Sequence, residues 1–89
     1  MGSVPHRPPH SVTLTWTPSA SVGVTRYNIY RSSSKGGYYT KINIVDVTGT
    51  SYVDSDVLAG QTYYYVVTAV NQKGESRYSA EAHATVPTP

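Results

Sequence analysis

The most informative part of this chain is the run Gln61-Thr62-Tyr63-Tyr64-Tyr65-Val66-Val67-Thr68-Ala69-Val70. Three tyrosines, three valines and two threonines occupy eight of its ten positions. Such aromatic and β-branched side chains suit a pleated sheet, and they lose rotamer freedom in a helix. The polar segment Asn71-Gln72-Lys73-Gly74-Glu75-Ser76 follows and has the composition of a turn. The run therefore predicts one long β-strand that ends at a turn.

Alternation along this strand separates the side chains that face the core from those that face outward. Successive side chains of a strand point to opposite faces of the sheet. We expect the core-facing set to be Tyr63, Tyr65, Val67 and Ala69. The outward set is then Tyr64, Val66, Thr68 and Val70.

Shorter segments with the same alternation precede the long run. Val12, Leu14 and Trp16 alternate with threonines, which predicts a half-buried strand. Tyr27 and Ile29 alternate with arginine, asparagine and tyrosine side chains, which predicts a second strand of this kind. We expect these five residues to join the core.

Three further strands are expected in less regular stretches of the sequence. One covers residues 38–44, in a register left open because either Tyr38 or Tyr39 could face inward. Another lies around residues 50–53, and the last runs from about residue 78 to residue 86. Short strands about ten residues apart, bounded by Gly, Pro, Asn, Asp or Ser, predict an all-β sandwich or barrel.

Proline-containing segments at both ends indicate one module between linkers. Pro5, Pro8 and Pro9 exclude a regular ladder beyond a short edge segment. We therefore assign residues 1–10 to an N-terminal linker with a short first strand and residues 11–86 to the domain. Residues 87–89 begin a C-terminal linker. A chain of 89 residues is expected to build a single core.

Composition and charge exclude several classes of function. The chain has no cysteine, so it offers no thiolate nucleophile or thiolate metal ligand. The net charge is +2, and the cationic side chains are too dispersed to follow a phosphate backbone, so we expect no nucleic-acid partner. These side chains include Arg26, Arg31, Lys41 and Arg77. No apolar stretch approaches the roughly eighteen residues of a transmembrane helix, so we expect no membrane insertion.

The candidate catalytic and metal-binding groups each have an ordinary structural explanation. Asp54 and Asp56 could share a proton or a cation, but they follow a strand end, where aspartate commonly caps backbone amides. His6 and His10 are separated by two prolines, so no helix can bring both rings to one metal. We therefore expect no catalysis, no metal ion and no cofactor.

The chain from about residue 4 to residue 86 resembles a fibronectin type III domain. Trp16, in Val12-Thr13-Leu14-Thr15-Trp16, is similar to the buried tryptophan of that family's second strand, and Tyr27 is placed like a residue of its third. Tyr63, in Leu58-Ala59-Gly60-Gln61-Thr62-Tyr63, resembles the corner tyrosine that hydrogen-bonds to upstream backbone before the sixth strand. The chain most resembles bacterial copies attached to secreted polysaccharide-degrading enzymes and cell-surface proteins.

The resemblance implies a seven-stranded antiparallel immunoglobulin-like β-sandwich that carries no catalysis. It also implies a spacer or docking module in a larger secreted bacterial protein, such as a carbohydrate-active enzyme. The expected partners are neighbouring domains of the same chain, with polysaccharide as a further candidate. We expect a monomer that works outside the cell or at its surface, with any signal peptide outside this sequence.

Surface tyrosines leave an alternative open. Tyr64 and Val66 could share an exposed sheet face with Tyr30 and with either Tyr38 or Tyr39. Such a patch could stack on sugar rings, which would make the chain a carbohydrate-binding module, or it could contact a neighbouring domain. The same side chains could instead form cross-strand pairs that only stabilise the sheet.

Overall fold

The computed structural model describes residues 10–88, and this part of the chain is built from antiparallel strands. The strands are β1 (Val12–Thr15), β2 (Arg26–Ser32), β3 (Thr40–Lys41), β4 (Ser51–Asp54), β5 (Thr62–Asn71), β6 (Gly74–Glu75) and β7 (Ala82–Thr85). No helix among the described residues has the length and apolar character needed to cross a membrane. The all-β class predicted from the sequence is confirmed.

Two antiparallel sheets form the sandwich. β1 pairs with β4 in the smaller sheet, and β3, β2 and β5 lie side by side in the larger one. The far edge of β5 pairs with β6 and with β7. β5 runs along the whole of β2, from the Arg26–Val70 pair to the Ser32–Tyr64 pair, so the long predicted strand is the centre of the larger sheet.

The core lies between the sheets and consists of aliphatic and aromatic side chains. Its buried cluster is formed by Val12, Ile29, Val47, Val57, Tyr63, Tyr65 and Val86. Partly buried side chains that pack against this cluster are Leu14, Trp16, Ile42, Tyr52, Val67 and Ala84. Tyr27 is buried and makes a T-shaped contact with Trp16 at a centroid distance of 5.4 Å, whereas Ala69 is half-buried. Removal of this apolar surface from water is the main driving force for folding.

The corner before β5 is fixed by Tyr63. The Leu58 backbone N–H donates a hydrogen bond of 3.0 Å to the Tyr63 hydroxyl. Gly60 lies between these residues with a φ of 79°, a left-handed conformation that glycine adopts without strain. The corner hydrogen bond to upstream backbone, implied by the family resemblance, is therefore present.

The strand expected at residues 38–44 is reduced to the two residues of β3. Beyond β3 the Asn43 side chain replaces a backbone partner. The Ile29 N–H donates to Asn43 Oδ1 at 2.8 Å, and Asn43 Nδ2 donates to the Val45 carbonyl at 3.0 Å. The chain leaves regular pairing at this point, and Ile44 is 98% exposed. An alternating pattern cannot anticipate a side chain that takes the place of a backbone group.

The last strand, expected at residues 78–86, is reduced to β7, and the segment predicted as a turn before it contains β6. Five positions separate Val70 from Tyr65 on β5, whereas seven separate their partners Glu75 and Ala82. The two extra residues make the intervening stretch, residues 76–81, an irregular connector along the edge of β5. The regular alternation predicted for this strand is therefore lost over its first half.

The outer face of the larger sheet is covered. Val66 and Thr68 are each 2% exposed and Val70 is 7% exposed, so the expectation that these side chains face solvent is wrong. Tyr78 of the connector contacts the ring of Tyr30, and Tyr30 lies opposite Val66 in the strand register. Alternation assigns a side chain to one face of a sheet, but it does not reveal which other segments pack on that face.

Candidate functional site

Three tyrosines meet on the outer face of the larger sheet, and we call Tyr30, Tyr39 and Tyr78 the tyrosine cluster. Tyr30 belongs to β2, Tyr39 precedes β3, and Tyr78 lies in the connector. Tyr78 makes a T-shaped contact with each of the others, at centroid distances of 5.3 Å to Tyr30 and 5.2 Å to Tyr39. This geometry sets the positive edge of one ring against the negative face of another. The cluster joins segments that come from opposite edges of the sheet.

Glu75 anchors one side of the cluster. Its Oε2 accepts hydrogen bonds from Asn28 Nδ2 at 3.1 Å and from the hydroxyls of Tyr30 and Thr68. These bonds, led by the one from Thr68, lower the pKa of Glu75 because they stabilise its carboxylate. Burial and the hydrogen bond to Glu75 raise the pKa of Tyr30 to about 12. Asn28 and Thr68 are buried, so Glu75 also satisfies polar groups that water does not reach.

Glu81 anchors the other side of the cluster. Its Oε2 accepts a hydrogen bond from the Tyr39 hydroxyl and another, of 2.8 Å, from the Gly36 N–H. These two bonds lower the pKa of Glu81, and the hydrogen bond to Glu81 raises the pKa of Tyr39 to about 12. The turn after β2 is therefore attached to the connector that precedes β7.

The five residues expected to form one binding face have unlike environments. Tyr30 and Tyr39 are half-buried within the tyrosine cluster. Tyr64 is half-buried and faces a histidine of β7 at a centroid distance of 6.1 Å. Tyr38 is 96% exposed, whereas Val66 is buried. The structure does not bring these side chains together as one exposed platform.

A buried ion pair connects the two sheets. Arg31 Nη1 donates to both carboxylate oxygens of Asp54, at 3.0 and 2.9 Å, and the Tyr65 hydroxyl donates to Asp54 Oδ2 at 2.7 Å. The Asp54 side chain is 4% exposed and that of Arg31 is 21% exposed. The guanidinium also lies over the Tyr63 ring, 5.5 Å from its centroid, which is a cation–π contact. Strands β2, β4 and β5 are therefore joined at one point.

Sequence reasoning missed this ion pair. The capping role expected near Asp54 is present, because the Asp56 N–H donates to Asp54 Oδ1 at 3.2 Å. The contact with Arg31 was not expected, although Arg31 follows Tyr27 and Ile29 in the same alternation and therefore faces the core. A charged residue at a core-facing position of a strand is the signal that could have revealed it, because such a charge is rarely buried without a partner.

Residues 10–88 contain no group of three or more His, Cys, Asp or Glu side chains that could hold a metal ion. Of the two histidines considered as ligands, His6 lies outside the described residues, and His10 is half-buried. His83 is exposed on β7. The carboxylate of Asp54 is already held by Arg31 and Tyr65.

Comparison with known proteins identifies a family whose sequence pattern this chain matches. A family model described as fibronectin type III domain matches residues 3–85. An amylopullulanase of Thermoanaerobacter thermohydrosulfuricus is 45% identical over 76 residues, which make up 84% of this chain and 5% of that enzyme. A poly(3-hydroxybutyrate) depolymerase of Ralstonia pickettii is 42% identical over 76 residues, or 84% of this chain and 14% of that enzyme. The chain therefore spans a small part of either enzyme.

A solved structure agrees with the family match. An Fn3-like protein from Clostridium thermocellum superposes with a TM-score of 0.74 at 40% sequence identity. The superposition covers 91% of this chain and 81% of that chain. The similarity therefore extends over most of both molecules.

Proposed function

Because this chain belongs to the fibronectin type III family, we propose that it is a non-catalytic spacer or docking module within a larger extracellular bacterial protein that degrades a polymer. Trp16, Tyr27 and Tyr63 had predicted this family, and the match over residues 3–85 confirms it. In the proposed role the folded chain sets the distance and orientation between its neighbouring domains. Those domains are its partners.

The observation that carries the proposal is the kind of enzyme that shares this segment. The amylopullulanase and the poly(3-hydroxybutyrate) depolymerase are named for a polysaccharide and for a polyester, yet segments of both are more than 40% identical to this chain. A site shaped for sugar hydroxyls does not suit an apolar ester, because each buried polar group needs its own partner. A task common to both enzymes, such as connecting domains, explains the shared segment better than recognition of one substrate.

The architecture supports a rigid connecting body. The Arg31–Asp54 pair links the two sheets, and the tyrosine cluster links segments across the outer face. The ten residues of β5 extend over about 34 Å at the usual rise of a strand. We place the parent protein outside the cell or at its surface, because a polymer that is too large to enter must be cleaved there.

The sheet-face form of the carbohydrate-binding alternative is not favoured. Val66 is buried, and the ring of Tyr30 is already in contact with Tyr78. The Tyr30 hydroxyl is also engaged, because it donates to Glu75. A sugar ring could stack there only if the connector moved away.

A distance measurement tests the spacer role. The chain is placed between two spin-labelled reporter domains, and pulsed electron paramagnetic resonance gives the distribution of distances between the labels. In the matched control, a Gly/Ser linker of equal length has a root-mean-square end-to-end distance of about 50 Å and a broad distribution. We expect a clearly narrower distribution for the folded chain. A distribution as broad as that of the linker would overturn the spacer proposal.

A pull-down experiment separates a spacer from a polymer-binding module. The isolated chain is incubated with insoluble starch and, separately, with poly(3-hydroxybutyrate) particles. We expect no retention through the sheet face on either polymer. Retention that is lost in Tyr64→Ala and in Tyr30→Ala would show that the face binds polymer and would contradict a purely connecting role.

A further inference from the structure

Tyr38 has a strained backbone although its own side chain is not packed against the domain. Its φ is 54°, and among residues 10–88 it is the one residue other than glycine with a positive φ. A bulky L side chain seldom adopts this conformation, because its Cβ comes too close to the backbone. The ring is 96% exposed, so its burial cannot offset the strain. Backbone strain that the surrounding structure holds in place is common at residues that contact a ligand.

Hydrogen bonds on both sides of Tyr38 hold its backbone in place. Glu81 accepts from the Gly36 N–H at 2.8 Å and from the Tyr39 hydroxyl, so it fixes the chain before and after Tyr38. The buried hydroxyl of Ser32 also bonds to the carbonyl of the residue that precedes Tyr38. The ring is therefore presented from a fixed turn, which reduces the entropy lost when a ligand binds.

The surroundings of the ring fit a sugar better than a protein. A specific protein interface buries more than about 1,000 Å² around an apolar centre. The exposed side chains next to Tyr38 in the sequence are polar instead, and they are Ser33, Ser34, Lys35, Thr40 and Lys41. A pyranose has a flat C–H face and a rim of hydroxyls, which match one aromatic plate surrounded by hydrogen-bonding groups.

We propose that Tyr38 is the stacking residue of a polysaccharide-binding site on the turn formed by residues 33–41. This site goes beyond the spacer role, which needs no ligand at the turn. A single stacked ring gives weak affinity, with a dissociation constant of about 1 mM for the isolated chain. Within a larger enzyme the local concentration of polymer would make such a contact effective.

An NMR titration of the isolated chain tests the site. The probes are maltohexaose and cellohexaose, which carry α- and β-linked glucose, each added up to about 20 mM. We expect saturable amide shifts within the turn for at least one probe. Tyr38→Gly should weaken the binding at least tenfold and, because it relieves the strain, raise the melting temperature by roughly 2–5 °C. The control Tyr64→Ala removes a tyrosine outside the turn and should leave the affinity unchanged.

The possible outcomes separate the alternatives. Absence of shifts with both probes overturns the proposal, and so do shifts that persist in Tyr38→Gly, because they place the binding elsewhere. A lower melting temperature in Tyr38→Gly would show that the ring supports the fold, which contradicts the strain argument. Shifts of the turn that depend on protein concentration without sugar would identify a second copy of the chain as the partner instead. None of these results alters the distance distribution that tests the spacer role.

Discussion

Replacing Asp54 by asparagine should destabilise the domain by about 3 kcal/mol, because it breaks a buried ion pair. The Asp54 carboxylate accepts four hydrogen bonds: two from Arg31, one from the Tyr65 hydroxyl and one from the Asp56 N–H. Asparagine keeps the shape of the side chain but loses the charge. Its amide NH₂ would also face the donors that now bind the carboxylate, which leaves these donors without an acceptor. Water cannot readily replace the acceptor, because the Asp54 side chain is only 4% exposed.

The reciprocal change, Arg31→Met, should cost about 3–5 kcal/mol. Methionine keeps an apolar stem beside Tyr63, but it leaves the Asp54 carboxylate buried without a counter-charge. The double variant should lose less than the sum of the two single losses, by about 1–3 kcal/mol, because the second change removes an interaction that is already broken. Domains of this kind have roughly 5–15 kcal/mol of stability, so the single variants should remain folded.

Urea denaturation at neutral pH measures these losses through the fluorescence of Trp16, the only tryptophan of the chain. An exposed ion pair supplies the matched control. Arg26 and Asp46 lie 3.7 Å apart with side chains that are 44% and 76% exposed, so Arg26→Met should cost less than about 0.5 kcal/mol. The reasoning is refuted if Arg31→Met costs no more than Arg26→Met, or if the coupling in the Arg31–Asp54 cycle is below about 0.5 kcal/mol.

Three further changes test other contacts of the fold. Asn43→Ala should cost about 2 kcal/mol in urea denaturation, because the buried Ile29 N–H loses its acceptor; a neutral result would mean that water replaces it. Glu75→Gln should make the free energy of unfolding fall less steeply as the pH is lowered below about 5. The folded-state pKa of Glu75 is lowered, so its contribution is present above about pH 5 and is lost as the pH falls through that lowered pKa; equal slopes in wild type and variant would contradict this. Tyr30→Phe should remove one phenol from the absorbance step near pH 12. The pKa of Tyr30 is raised from 10.0 to about 12, so the contribution of Tyr30 to stability is present below pH 10.0 and is lost as the pH rises through about 12. An unchanged absorbance step would show that burial and the hydrogen bond to Glu75 do not raise the pKa of the Tyr30 hydroxyl.

The parts of the fold that depend on local alternation were predictable from the sequence. In β5 the core-facing positions and the corner at Tyr63 follow from side-chain period and from the family pattern. β1 and the first part of β2 follow from the same reasoning, because Val12 and Leu14 and then Tyr27 and Ile29 alternate with polar residues. These features need only neighbouring residues, so a single sequence contains the information.

The features that were missed depend on residues far apart in the chain. Arg31 and Asp54 meet only when β2 and β4 belong to facing sheets, and alternation within one strand cannot show this. Val66 is buried on the outer face, where Tyr78 of the irregular connector packs against Tyr30, the residue opposite Val66 in the register. Neither packing partner can be identified from a repeat of two residues.

Tyr38 and Tyr39 show most clearly how a distant residue decides a local question. The two are adjacent and chemically alike, so the sequence left open which of them faces inward. Glu81 accepts hydrogen bonds from the Tyr39 hydroxyl and from the Gly36 N–H. The first of these bonds holds Tyr39 against the sheet, so Tyr39 is the one that faces inward. Tyr38 must then point away, and the same two bonds keep its backbone strained. The tyrosines on the sheet face contact one another, so the tyrosine that is free to bind a ligand is Tyr38 of the turn.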